Sequence, residues 1–214
     1  MSNILKAFTL AETLITVAIL GIIGAITINI LYNEYKKSVL VAQLKREYSV
    51  VSSAVDNALV EYNDEVWDKG YFDKYVAPNL KVKTDCTGKK NCYPVKEYTA
   101  SRQKTSDENK AYCLCNRNGN FDTNTCFYTK LVLENGALIS VTDLGDMEAI
   151  ISNRNNNTIF IDVNGEKGPN KLNYDLHQFK ITKDNGLIPC LSDNTFCPVQ
   201  TKRVLITNKI DYNY

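Results

Sequence analysis

The sequence has a single histidine among its 214 residues, and this scarcity limits the chemistry open to it. A nucleophile of the Ser–His or Cys–His type would depend on His177, which stands among residues with the character of a β-strand. A phosphate-binding glycine loop is also missing, because Gly165 and Gly168 are followed by Pro169 and not by a helix that begins with Lys and Ser or Thr. We therefore predict that the protein is not an enzyme.

The chain also lacks a large excess of positive or negative charge. The chain carries 25 Lys and Arg residues against 24 Asp and Glu residues, a formal net charge of +1. A near-neutral chain creates no strong field that would attract a polyanion. The basic residues that would contact phosphate in a DNA-binding role are scattered along the chain: Lys89, Lys90, Arg102, Lys104, Lys202 and Arg203. We therefore expect no specific nucleic-acid partner.

The chain contains seven cysteines but no Cys-x-x-Cys pair, and the spacing of Cys113 and Cys115 is too tight for the usual zinc pair. All seven follow the apolar N-terminal region, which favours disulfides in an oxidising compartment. The disulfide candidates are Cys86, Cys92, Cys113, Cys115, Cys126, Cys190 and Cys197.

Short separations favour the pairs Cys86–Cys92 and Cys190–Cys197. Cys126 would then bond either Cys113 or Cys115, and the odd number of cysteines leaves one thiol free or intermolecular.

No charged side chain occurs between Thr13 and Leu31, a run dominated by Leu, Ile, Val and Ala. At about 1.5 Å per residue a helix of this length spans roughly 30 Å, the thickness of the hydrocarbon core of a membrane. Glu12 lies within the apolar block, where a carboxylate costs on the order of 3 kcal/mol and indicates a functional site. Lys6 precedes the block and predicts a cytoplasmic N-terminus.

Three interpretations of this block compete. A cleaved secretory signal would need a shorter apolar core that ends in a small-residue cleavage site. A plain signal anchor explains the length of the block but not Glu12. The third interpretation rests on residues 6–12, KAFTLAE, followed by TLITVAILGIIGA, which closely resemble the N-terminus of type IV pilins and type II secretion pseudopilins.

This resemblance implies that a prepilin peptidase cuts between Ala7 and Phe8 and that the new amine of Phe8 is methylated. Glu12 would then be the fifth residue of the mature chain and the carboxylate used in filament assembly. The organisation implied is a leader over residues 1–7, a transmembrane and filament-core helix over 8–31, and a globular head over 32–214 that includes the second half of the helix.

The resemblance also implies the partners and the location. The partners are a filament of identical or related subunits, the prepilin peptidase, an inner-membrane assembly platform and the membrane itself before assembly. The chain would cross the inner membrane once and place its head in the periplasm or outside the cell. A pilus and a secretion pseudopilus both remain open. The alternative from another class is an unprocessed, membrane-anchored binding module for adhesion or DNA uptake.

Beyond the apolar block the helix is predicted to continue to about residue 62, because apolar residues recur at spacings of three and four. This stripe consists of Leu44, Tyr48, Val51, Val55, Ala58, Leu59 and Tyr62. Polar residues such as Arg46, Glu47 and Asp56 are expected to point away from it. A group of aromatic residues then predicts a short helix or a packed elbow: Trp67, Tyr71, Phe72 and Tyr75.

Residues 78–124 are polar and aperiodic and predict a long loop that disulfides hold in place. Strands are predicted at residues 128–133 and 137–141 around the hairpin signal Asn135-Gly136, then at 158–163, 178–182 and 203–207. A long helix followed by such strands predicts an α+β fold in which the helix packs on an antiparallel sheet. The pilin resemblance implies the same pilin-like architecture.

Oxygen-bearing side chains are concentrated between residues 162 and 175. Hard oxygen donors on a loop suit calcium. Some pseudopilins carry a calcium in a loop near their C-terminal end, and this segment loosely resembles that loop. The ligands would be Asp162, Asn164, Glu166 and Asp175. The alternative is a tight turn in which Asn164-Gly165 supplies a positive φ and Pro169 ends the turn.

Overall fold

The structure, a computed structural model, describes residues 9–65, 67, 70–99, 120–123, 127–142, 158–182, 184–189 and 200–210. It divides into two compact units, Met1–Val39 and Leu40–Tyr214. Helix α1, Leu10–Glu61, contributes residues to both of them.

In the first unit the large apolar side chains of α1 are exposed; Leu14, Leu20 and Ile22 each expose more than 60% of their surface. The threonines and the asparagine between residues 13 and 29 donate to carbonyl oxygens of their own helix. Thr16 Oγ1, for example, donates to Glu12 O at 2.7 Å, and Asn29 Nδ2 donates to Ala25 O at 3.1 Å. Such internal bonds leave an apolar outer surface, which suits a lipid environment.

In the second unit the predicted apolar stripe of α1 is buried. Leu44, Val51, Val55 and Ala58 are fully buried, and Tyr48, Leu59 and Tyr62 pack against the same core. The sequence-based expectation for Glu47 is wrong. Its side chain does not point away from the stripe but is buried, because Asn135 of a facing hairpin binds its carboxylate.

Helix α1 ends at Glu61, one residue before the predicted end. The aromatic elbow that follows is confirmed. Trp67 stacks on Tyr71 with ring centroids 5.4 Å apart, and Tyr62 lies 4.7 Å from Tyr75. A π-helical turn, Phe72–Val76, and a 3-10 turn, Ala77–Asn79, then lead into the sheet.

Six strands form one antiparallel sheet in the order β1-β4-β5-β6-β7-β8. A second sheet pairs β2 with β3. The strands are β1 Val82–Asp85, β2 Glu97–Thr99, β3 Asn120–Asp122, β4 Thr129–Leu133, β5 Leu138–Thr142, β6 Thr158–Asp162, β7 Leu176–Thr182 and β8 Gly186–Pro189. The predicted α+β class and the helix packed on an antiparallel sheet are therefore confirmed.

Two sequence predictions fail in the described part of the head. Residues 203–207 are not an edge strand but belong to helix α2, Gln200–Thr207. The helix forms because Thr201, Val204 and Leu205 turn to the protein interior at spacings of three and four residues. The stretch predicted as a loop also contains β1, β2 and β3, whose short polar sequences give no alternating signal.

The main sheet is covered on both faces. Ile159 and Ile161 of β6 pack into the core that contains the α1 stripe. Phe160, on the opposite face of the same strand, packs into a second core with Cys86, Tyr93, Val95, Tyr98, Phe127, Leu138 and Leu176. The segment of residues 86–99, which we call the stapled segment, thus covers the face of the sheet away from α1. The predicted disulfide Cys86–Cys92 is present within it.

Candidate functional site

Glu12 forms a capping box at the start of α1. Its Oε2 atom accepts hydrogen bonds from Thr9 N at 2.8 Å and from Thr9 Oγ1 at 2.9 Å, and Glu12 N donates to Thr9 Oγ1 at 3.3 Å. The sequence carries a signal for this arrangement, because a Thr is followed three residues later by a Glu before an apolar run. Glu12 therefore has a local structural role.

The capping box occupies only one oxygen of the Glu12 carboxylate. Within the described residues Oε1 accepts no hydrogen bond, and the side chain is exposed. A negative charge is also favoured there by the dipole of the helix N-terminus. The carboxylate is thus oriented by Thr9 and still able to accept a donor from another molecule. Ala7 and Phe8, the predicted processing residues, lie outside the described residues.

The second candidate site, the acidic loop of residues 162–175, connects β6 to β7. Asp162 ends β6 and Asp175 precedes β7, and both side chains are fully buried. Asp162 Oδ1 accepts hydrogen bonds from the backbone N–H groups of Asn164 at 3.1 Å and Gly165 at 2.9 Å. Asp175 accepts from Asn170 N at 2.7 Å and from Lys171 N at 2.6 Å.

The tight turn predicted at Asn164-Gly165 is present. Gly165 has φ +65°, whereas Asn164 has an ordinary negative φ of −122°. A Cβ atom at Gly165 would collide with the carbonyl oxygen of Gly136 in the neighbouring hairpin. Both the dihedral angle and this close approach require glycine. The backbone of this turn therefore packs directly against the β4–β5 turn.

Burial shapes the protonation of the two carboxyl groups. Burial raises the pKa of Asp162 to about 7, and the charge of Asp175 adds to the increase. Burial also raises the pKa of Asp175, although its backbone donors act in the opposite direction. The nearby Tyr98 hydroxyl lowers the pKa of Asp162, although its position does not meet the geometry of a hydrogen bond to Oδ2. Both carboxyl groups are therefore buried, and the hydrogen-bond donors that hold them in the described chain are backbone N–H groups.

Several oxygen acceptors in the acidic loop have no donor among the residues that the structure describes. The buried side-chain oxygens without a hydrogen bond are Asp162 Oδ2, Asn164 Oδ1, Asn170 Oδ1 and Asn173 Oδ1. A carboxylate and amide oxygens left in this state are the donor type that calcium prefers. Within the described residues no group of three or more His, Cys, Asp or Glu side chains could hold a metal, so amide oxygens would have to take part.

The structure brings three of the predicted calcium ligands close together in the loop, whereas the fourth is exposed. Asn164 lies beside Asp175, and the charge of Asp175 acts on Asp162. Asp162 and Asn164 each keep one oxygen without a donor, whereas Asp175 uses both oxygens for backbone N–H groups. Glu166 is exposed and lines a pocket of about 400 Å³ on the face of the sheet that carries the stapled segment.

This pocket lies between β1, β4 and the stapled segment. Lys83 and Lys96 line it together with Glu166, Tyr93 and Pro94. None of its three charged side chains forms an ion pair within the described ranges. The pocket is therefore polar and open, with two ammonium groups and one carboxylate at its surface.

His177 lies in β7 and is fully buried. Burial lowers the pKa of its imidazole to about 4, so the ring is neutral near pH 7. Its Nε2 atom lies 3.1 Å from Tyr174 O, and because a carbonyl only accepts, Nε2 carries the proton. The arrangement is that of a histidine held in the core of the sheet.

Of the disulfide candidates, Cys86 and Cys92 are bonded and the other five lie outside the described residues. The basic residues considered for DNA contact lie on different elements where they are described. Lys89 and Lys90 lie in the disulfide loop, where Lys89 Nζ donates to Asp85 O, and Arg203 lies on α2. Arg102 and Lys104 lie outside the described residues.

By length and composition, α1 qualifies as a membrane-spanning helix near the N-terminus, a property that signal sequences share. No protein-family model, no curated protein and no solved structure matches this chain.

Proposed function

We propose that this chain is a prepilin-like structural subunit. A prepilin peptidase removes residues 1–7, Phe8 becomes the N-methylated first residue, and the N-terminal helices of several subunits bundle into a filament. Before assembly the subunit crosses the inner membrane once with its N-terminus in the cytoplasm. In the filament the head faces the periplasm or the exterior. A type IV pilus and a type II secretion pseudopilus are the two filaments that this proposal covers.

The observation that carries the proposal is the change in the exposure of apolar side chains along α1. Its first part exposes apolar side chains and satisfies its polar side chains internally, whereas its second part packs its apolar stripe on an antiparallel sheet. A lone carboxylate stands at the start of the apolar part. A subunit that is stored in a membrane and then bundled through its helix needs these features together.

The geometry of Glu12 supports an intermolecular role. After cleavage, Phe8 would present a cationic amine at the same level of the membrane as Glu12. The oxygen that the capping box leaves without a donor can accept this amine from a neighbouring subunit. In a medium of low dielectric constant such a pair roughly offsets its desolvation, so its main effect would be to fix the register between subunits.

The test distinguishes the role of the Glu12 charge from the role of Glu12 in the capping box. Glu12→Gln keeps an N3 side chain that can complete a capping box but removes the charge. Glu12→Ala removes both, Thr9→Ala removes the cap alone, and Glu34→Ala is a matched control, because Glu34 is an exposed carboxylate on the same helix. Filaments are counted by electron microscopy of cells and of sheared surface fractions, with membrane insertion checked for each variant.

The proposal predicts that both Glu12 variants insert into the membrane but assemble poorly, whereas Thr9→Ala and Glu34→Ala form filaments. Normal filaments from Glu12→Gln would overturn the assembly role. Normal Glu12→Gln together with defective Glu12→Ala and Thr9→Ala would show that Glu12 serves only as a helix cap.

For the acidic loop we infer calcium binding as a second role. Asp162 and Asn164 would hold the ion, with support from the amide oxygens that lack donors. A bound dication would neutralise the buried charge of the two aspartates and rigidify the loop.

The alternative function is a membrane-anchored binding module that is not processed. In such a module the pocket beside the stapled segment, with a volume of about 400 Å³, would be the place for a small polar ligand. An anchored module would keep Met1 and would have no use for the charge of Glu12.

A further inference from the structure

The sequence contains four Asn-Gly pairs, at residues 118–119, 135–136, 164–165 and 185–186. In such a pair the backbone nitrogen of glycine can attack the side-chain carbonyl carbon of asparagine, because glycine has no Cβ to obstruct the approach. The attack requires that the asparagine side chain rotate toward the following peptide bond. Hydrogen bonds that hold the side chain elsewhere therefore protect it.

In the pair at 135–136, both the nitrogen and the oxygen of the asparagine side-chain amide form hydrogen bonds. Asn135 Nδ2 donates to both carboxylate oxygens of Glu47 at 3.0 Å, and Asn135 Oδ1 accepts from Ala137 N at 2.9 Å. The attacking nitrogen is also engaged, since Gly136 N donates to Leu133 O at 3.0 Å. Deamidation at Asn135 would have to break these bonds first.

The pair at 164–165 is protected in a similar way. Asn164 Nδ2 donates to Gly168 O at 2.8 Å, and Gly165 N donates to Asp162 Oδ1 at 2.9 Å. The pair at 118–119 lies outside the described residues.

Asn185 differs from both. It is exposed at the turn between β7 and β8, and its amide group forms no hydrogen bond with the described residues, while its backbone N–H donates to Thr182 Oγ1 at 3.2 Å. We propose that Asn185 is a site of spontaneous deamidation, which converts this turn to an aspartate or isoaspartate form while Asn135 and Asn164 stay intact.

The reaction needs only water. Gly186 N forms a bond to Asn185 Cγ, the Cγ–Nδ2 bond breaks, and the proton of the Gly186 amide leaves with the side-chain nitrogen as ammonia. The resulting succinimide then adds one water. Cleavage of its Cγ–N bond yields aspartate, and cleavage of the bond between the backbone carbonyl carbon and nitrogen yields isoaspartate. No oxidant or reductant takes part.

The product would disturb the edge of the main sheet. Asp56 of α1 lies against this turn, since a Cβ atom placed on Gly186 would be 2.7 Å from Asp56 Oδ1. Asp184 is a further exposed acidic residue of the same turn. A new carboxylate at position 185 adds a like charge to this group. An isoaspartate also lengthens the backbone beside Gly186, which pairs with Thr182 in the β7–β8 register.

The test follows the full-length protein, in detergent, during incubation at mildly alkaline pH. Peptide mass spectrometry detects replacement of the side-chain NH₂ by OH at each Asn-Gly pair and identifies isoaspartate by its fragmentation. Deamidation of Asn185 is expected to be at least about tenfold faster than that of Asn135 or Asn164, since tenfold corresponds to about 1.4 kcal/mol, roughly the worth of one or two hydrogen bonds. The same protein in denaturant is the control, and there the differences should largely disappear.

A variant sharpens the test. Glu47→Ala removes the acceptor that holds Asn135 and should accelerate deamidation of Asn135 without changing that of Asn185; circular dichroism checks that the variant remains folded. Comparable rates at the three sites in folded wild-type protein would overturn the proposal. So would an intact Asn185 under conditions in which Asn135 or Asn164 reacts.

Discussion

Both carboxylate oxygens of Glu47 accept hydrogen bonds at 3.0 Å from the side-chain amide of Asn135. Glu47 lies on α1 among apolar residues and exposes only 2% of its surface, whereas Asn135 lies at the tip of the β4–β5 hairpin. This contact therefore ties the helix to the sheet at a position where a buried charge without a donor would be costly.

Glu47→Ala is expected to lower the free energy of unfolding by roughly 1–3 kcal/mol, the usual effect of leaving a buried hydrogen-bonding group without its partner. Lys45→Ala is the matched control, because Lys45 is exposed on the same helix and should change the stability little. Urea denaturation of both variants, and of Asn135→Ala alone and combined with Glu47→Ala, gives the coupling energy. Additive effects in the double variant would contradict an interaction between the two side chains.

The disulfide Cys86–Cys92 should stabilise the stapled segment. It closes a loop with a sequence separation of 6, for which chain entropy predicts about 2 kcal/mol. The double variant Cys86→Ala/Cys92→Ala should therefore melt at a lower temperature than the oxidised wild type. Thermal unfolding monitored by circular dichroism gives the difference. An unchanged melting temperature would indicate that the second core holds this segment without the bond.

Asp162 should make the head less stable as the pH rises. Its folded-state pKa of about 7 lies above the ordinary value of 3.8, so its favourable contribution is complete below pH 3.8 and is lost as the pH rises through 7. Asp162→Asn resembles the protonated form and keeps an oxygen at the Oδ1 position for Asn164 N and Gly165 N.

In metal-free buffer this variant should be more stable than wild type at pH 8 by more than about 1.4 kcal/mol, the equivalent of one pKa unit, and close to wild type only at about pH 3, below the ordinary pKa of 3.8. His177 has the opposite dependence, because its lowered pKa removes stability as the pH falls from 6.5 through 4. Comparing the two proteins at each pH cancels this contribution. Parallel curves of stability against pH would show that Asp162 does not titrate in the folded state.

Calcium binding should offset the free-energy cost of burying the charges of the two aspartates. The wild-type melting temperature is expected to rise at millimolar Ca²⁺ and to return with a chelator, because a ligand at about a hundred times its Kd stabilises by about 2.7 kcal/mol. Asp162→Asn should lose this response. Glu166→Gln should keep it, because Glu166 is exposed at the pocket, whereas the oxygens without donors are buried. An equal shift in Asp162→Asn would place the ion elsewhere, and no shift in wild type would leave the loop as a turn without metal.

The sequence predicts those parts of the fold that have periodic apolar residues or unambiguous turns. The stripe from Leu44 to Ala58 and the Asn135-Gly136 hairpin are examples, and both are confirmed. Proximity in sequence likewise predicts Cys86–Cys92. In each case the signal is local, and tertiary packing agrees with it.

The features that sequence reasoning missed depend on partners distant in the chain or on short segments. Glu47 is buried because its carboxylate accepts hydrogen bonds from Asn135, which lies 88 residues further along the chain. β1 and β2 contain four and three residues and are largely polar, so pairing across the sheet decides their structure and periodicity cannot. The capping box differs from these features, because Thr9 followed by Glu12 before an apolar run is a local signal that predicts it.

The central claim is that the helix serves a processed filament subunit, and intact-mass and N-terminal peptide measurements test it most directly. The protein should be isolated from the membrane and from the sheared surface fraction of its own host. The account predicts a mature chain that begins with N-methylated Phe8 in both fractions. A chain that retains Met1, or one cut after Ala25, would contradict the account and favour an anchored or secreted binding module.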